Sequence, residues 1–156
     1  MSEISLNKKE LEIIEKLLEN PKASYKSISK KTGIPSSTVK YIVDKLEETG
    51  VIEFKVDVNV EKLGFKIADL GVAINSEDKD KVLEEATKIK GVKVVNRLAG
   101  AHDAFMIIVA EDDSGYAKVI DELRAKGILV EHFGPIVKEY KTSFPIKIIK
   151  KLKESL

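Results

Sequence analysis

The spacing of apolar residues changes character once along this 156-residue chain, and that change limits the folds open to it. Up to Gly50 the apolar positions recur every three or four residues: Leu11, Ile14, Leu17 and Leu18, then Tyr25 and Ile28, then Val39, Ile42, Val43 and Leu46. That interval brings side chains to one side of a 3.6-residue helical turn, so three helices are predicted. The punctuation agrees. Asn7 with Glu10 three residues on reads as a variant capping box, with Leu6 stapling onto Leu11, and Asn20-Pro21 stops the first helix. Ser24 caps a short second helix that ends with Gly33 as its left-handed terminator. Pro35 suits the first turn of the third helix, where a missing N–H costs nothing, and Gly50 ends it. Three short helices with tight turns make a helix-turn-helix.

Beyond Gly50 the pattern is mixed. VIEFKVDVNV alternates like a strand or small wing, with Val51 and Ile52 closing the helical core. After Leu63-Gly64 the chain reads as strand 65–74, helix 76–90, strand 92–99, a turn at Gly100 to Asp103, strand 104–110, a helix capped within Asp112 to Ser114 and ended by Gly127, and strand 128–140. This β-α-β-β-α-β order is the ferredoxin-like pattern, so the predicted fold class is α+β. The expected organisation is a winged helix-turn-helix DNA-binding domain at 1–52, a strand linker at 53–64, a βαββαβ effector and oligomerisation domain at 65–145, and a basic tail at 146–156. Two helices cover one face of such a sheet. The other face, carrying Val and Ile, is expected to find a second subunit.

Composition excludes more than it assigns. No cysteine is present, which removes disulfides, thiolate metal sites and cysteine nucleophiles. The longest strongly apolar run, AFMIIVA at 104–110, is too short to cross a bilayer, and MSEISLNKKE lacks a signal peptide's apolar centre. A cytoplasmic protein is expected. His102 and His132 have no fixed spacing to carboxylates that would build a metal centre, and they read as a turn and a strand residue. With no nucleophile elbow and no phosphate-cradling glycine loop, neither an enzyme nor a cofactor is expected.

The net charge is only +1, but it is uneven. Between Pro21 and Lys45 six lysines (22, 26, 30, 31, 40 and 45) face one acid, Asp44, whereas the first helix carries Glu10, Glu12, Glu15 and Glu19. The third helix offers Ser36, Ser37, Thr38, Lys40 and Tyr41, short hydroxyls at its positive dipole end and donors along one side. A polyanionic duplex tolerates that face and repels the glutamate row. Lys26, Lys30 and Lys31 are the expected backbone anchors, and double-stranded DNA the expected partner.

LNKKELEIIEKLLENPKASYKSISKKTGI, SSTVKYIVDKLEETGVI, the linker VNVEKLGF and the GAHDAF turn, in this order and spacing, resemble the Lrp/AsnC family of feast-famine transcription regulators from Leu6 to about Tyr140. The resemblance implies a DNA-binding head, a strand linker and an effector domain, assembled as homodimers and as tetramers or octamers built from them. It further implies an effector site around the Gly-x-x-Asp turn and the last strand, matched here by Gly100 and Asp103 and flanked by His102 and His132. An amino acid, another small molecule or no effector at all are the alternatives left open. Two positions depart from the pattern. Ile42 stands where the family often has arginine, implying a lost phosphate contact, and His132-Phe133-Gly134 stand where threonines are common. The rival reading is an oligomeric metabolite sensor that has lost DNA binding and acts on a protein partner.

Overall fold

The computed structural model describes residues 4–140 and 144–156, which divide into two compact units. The first comprises residues 4–56 together with residues 144–156; the second runs from Asp57 to Tyr140.

In the first unit, helix α1 spans Lys8–Glu19, α2 Tyr25–Thr32 and α3 Ser36–Glu48. The reciprocal capping box forms as read. Glu10 N–H donates to Asn7 Oδ1 at 3.0 Å and Asn7 N–H donates to Glu10 Oε2 at 2.8 Å. Ser24 Oγ caps α2 by accepting from Ser27 N–H. Gly33 then takes φ 73°, a left-handed turn that side-chain-bearing residues resist. Pro35 precedes α3 as its N-cap residue. Leu11, Ile13, Ile14, Leu17, Ile28, Ile34, Val39, Ile42, Val43 and Leu46 form one core.

One element differs from the sequence reading. Residues 53–60 form no strand, and Val56 and Phe54 stand exposed. Alternation specifies a two-sided ribbon but not a neighbour, and an unpaired strand has no ladder to stabilise it. A single 3₁₀ turn follows at Glu61–Leu63. The basic tail, in contrast, forms helix α6, Ile146–Glu154, which packs against α1 and contributes buried Ile149 to the core of the first unit. Its apolar residues recur at helical spacing, so once a complementary surface is offered, burial overrides fraying.

The second unit has the order β1 (Lys66–Ile74), α4 (Lys79–Ala86), β2 (Val92–Arg97), β3 (Ala104–Ala110), α5 (Asp113–Ala125) and β4 (Ile128–Pro135). The sheet order is β2-β3-β1-β4 with every pair antiparallel, the ferredoxin-like arrangement. Ala68, Leu70, Val72 and Ile74 of β1 and Ala104, Met106, Ile108 and Ala110 of β3 pack under α4 and α5 with Leu83, Ala86, Tyr116, Val119 and Leu123. The intervening residues Phe105, Ile107 and Val109 remain half-buried on the other face, which no helix of this unit covers. A bulge in the β1–β4 pairing places Gly71 opposite His132 and Val72 opposite Val130, leaving Glu131 as the extra residue.

Candidate nucleic-acid interface and the open sheet face

The turn between α2 and α3 fixes how α3 is presented. Thr32 Oγ1 donates to the Ile28 carbonyl at 2.9 Å and accepts from Ile34 N–H at 3.2 Å, while Ile34 enters the core. From that anchored start, Val39, Ile42, Val43 and Leu46 turn inward. Ser37, Lys40 and Tyr41 turn outward, with Tyr41 67% exposed, and Ser36 and Thr38 are half-exposed. One helix face thus collects the five α3 residues expected to meet DNA. Ile42 lies on the opposite side at 6% exposure, so the residue there bears on packing and leaves the outward face unchanged.

The six lysines of this region do different jobs. Lys45 donates to Glu10 Oε1 at 2.7 Å. Burial pushes the Glu10 carboxyl up, but Lys45 and the Asn7 N–H more than offset this and hold it below its ordinary value. Lys45 is therefore a structural cation. Lys40 pairs with Asp44 at 2.6 Å, which raises the Lys40 ammonium above its ordinary value and partly neutralises it. Lys22, Lys26, Lys30 and Lys31 are exposed and carry no ion pair among the described residues. The positive potential beside α3 consequently comes from the α2 lysines more than from α3 itself.

On the open sheet face stand two histidine–carboxylate pairs. His132 Nε2 lies 3.3 Å from Asp69 Oδ2, and His102 Nδ1 lies 2.8 Å from Glu131 Oε2. The His102 ring rests on the bare backbone of Gly71, where a Cβ would come within 2.7 Å of it. His102, read from sequence as a turn residue, thus lies over Gly71, while the strand residue His132 sits with Asp69 beside Gly134, where a Cβ would come within 3.1 Å of its ring. Asp103 is committed elsewhere: its carboxylate accepts Ile74 N–H at 2.8 Å and the Lys79 ammonium, and these contacts hold it below its ordinary value. Gly100 is exposed in the same turn. Asp69, Glu131 and Lys79 escaped sequence reasoning because their partners are set by strand register and by packing across the sheet. Among the described residues no group of three or more metal-ligating side chains converges, and no helix is long and apolar enough to cross a membrane.

Comparison with known proteins bears on both units. Residues 6–53 match the winged helix-turn-helix DNA-binding family model. An HTH-type transcriptional regulator of Pyrococcus horikoshii is 32% identical over 126 residues, covering 79% of each chain. The HTH-type transcriptional regulator LrpA of the same organism is 33% identical over 113 residues, covering 69% of this chain and 78% of its own. The fold matches that of Escherichia coli AsnC with a TM-score of 0.70 at 16% identity, covering 92% of this chain and 99% of that one.

Proposed function

Because the chain belongs to the Lrp/AsnC family of transcriptional regulators, we propose that it is a sequence-specific regulator acting in the cytoplasm. In this reading α3 lies in the major groove of double-stranded DNA. Ser36, Ser37, Thr38, Lys40 and Tyr41 meet bases or phosphates, and Lys26, Lys30 and Lys31 hold the backbone. The observation that carries it is the outward face of the first turns of α3: donors from Ser36 to Tyr41, Asp44 already paired, and on the preceding helix the exposed Lys26, Lys30 and Lys31, which carry no ion pair among the described residues.

Two copies join through the uncovered sheet face, presenting two recognition helices to two half-sites, and dimers assemble further into tetramers or octamers. An effector, an amino acid or another small molecule, binds around Gly100, His102, Asp103 and His132. The His102–Glu131 and His132–Asp69 pairs supply polar groups there. An ammonium group arriving at Asp103 must first displace Lys79.

The test is electrophoretic mobility shift on a fragment selected from genomic DNA by the purified protein, run over a range of salt. Lys40→Ala with Tyr41→Ala should abolish discrimination between that fragment and random sequence while the oligomer persists. Lys30→Ala should weaken binding to both alike and reduce the log–log salt slope by about one per head. A double variant that still discriminates normally would remove α3 from the reading.

A further inference from the structure

The side of the sheet facing the helices holds a cavity that the reading above leaves unused. It measures about 350 Å³, lies between α5 and β4, and is lined by Asp113, Tyr116, Ala117, Ile120, Phe133 and Pro135. Its walls are mainly apolar, and Phe133 stands edge-on to Tyr116 with centroids 5.4 Å apart and ring planes at 72°. Tyr116 is 4% exposed, yet its hydroxyl has no hydrogen-bond partner among the described residues. Buried hydroxyls almost always find a partner, so an orphan beside a cavity calls for a ligand atom or a structural water. Burial raises the Tyr116 phenol above its ordinary value, leaving the hydroxyl protonated at neutral pH and available as a donor. Lys66 and Asp113, paired at 2.9 Å, are the charged groups close enough to act on that hydroxyl.

A ligand for this place needs an oxygen acceptor to meet Tyr116, with the charge of the lining Asp113 already offset by its pairing to Lys66, and an apolar body to lie against Phe133, Ile120 and Ala117. We propose that the cavity between α5 and β4 binds a small carboxylate carrying an aryl or branched alkyl body, with the carboxylate accepting from the Tyr116 hydroxyl. Phe133 pairs with Leu70 on the helix side of β4, whereas the adjacent His132 pairs with Gly71 on the open side, so this site lies through the sheet from the effector residues considered above. It goes beyond the proposed regulator function and does not depend on DNA binding.

The experiment titrates the full chain at neutral pH with phenylacetate and with 4-methylvalerate by calorimetry, with 2-phenylethanol as the neutral counterpart. Saturable binding of the carboxylates and weaker binding of the alcohol are expected. Tyr116→Phe, which deletes only the hydroxyl, should bind roughly ten- to a hundredfold more weakly, the loss expected for one hydrogen bond to a charged group. Its thermal midpoint without ligand should be unchanged or higher. No saturable binding, equal affinity in Tyr116→Phe, or an alcohol bound as tightly as phenylacetate would each overturn the proposal. Should Tyr116→Phe fold poorly, nuclear Overhauser contacts from bound phenylacetate to Phe133 and Ile120 in the unmodified protein decide the matter, and their absence overturns it.

Discussion

Glu10 and Glu15 are the charged side chains buried among the described residues, and each is matched by a lysine from another helix. Lys45 answers Glu10 from α3, and Lys153 of α6 answers Glu15, whose carboxyl Lys153 holds below its ordinary value against the opposing effect of burial. Both native carboxyls are more acidic than in the unfolded chain. Their stabilisation is therefore complete above the unfolded carboxylate range of about 4.3 and is lost as pH falls through the lower native values. The urea midpoint of the helical unit should be flat from pH 7 to about 5 and drop below that, and Glu15→Gln should shallow the drop. Lys45→Met strands Glu10 and should lower the urea midpoint of the helical unit at neutral pH, modestly because Lys45 itself is half-exposed. Equal midpoints for Lys45→Met and the unmodified protein would deny the pair a structural role. The Asn7–Glu10 box was legible in the sequence because both members lie within one turn. The Glu10–Lys45 pair, 35 residues apart, was not, since sequence spacing does not say which helix a third helix will cross.

Secondary elements divide along the same line. Helices α1 to α3 were legible because their caps, stripes and terminators are local. The expected strand after Gly50 was not realised, because a strand is defined by its neighbour. Helix α6 is the converse case: an amphipathic stretch whose partner, α1, lies at the other end of the chain. Ile149→Ala removes a side chain 6% exposed in that contact and should destabilise the helical unit by about 2–4 kcal/mol, read from its urea transition. A change below about 0.5 kcal/mol would mean that α6 contributes no packing. At the other unit, Gly71→Ala places a methyl where the His102 ring now rests. The ring, free to turn at its far end, should swing away and lose Glu131 while the sheet stays folded. Altered His102 imidazole resonances with unchanged amide resonances along β1 and β3 would record it; an unperturbed ring would contradict the close approach.

At the scale of the whole chain, the order βαββαβ was legible from alternating periods, and the sheet order follows from the hairpin between β2 and β3 and the two crossovers. The pairings of Asp69, Glu131 and Lys79 were not, because they depend on a bulge and on register. If the uncovered face joins two copies, as proposed, Ile107→Lys should yield a folded monomer in sedimentation velocity, with near-unchanged far-ultraviolet dichroism. A variant sedimenting with the unmodified protein would move the contact elsewhere. The core of the first unit draws on residues from before and after the second unit, with the whole βαββαβ segment translated in between. On the ribosome, the head must wait with Glu15 unanswered and a gap where Ile149 belongs until α6 has emerged. The head can therefore first close its core only after the sheet has been made, and a chain cut between β4 and α6 would carry a full sheet attached to an unfinished head.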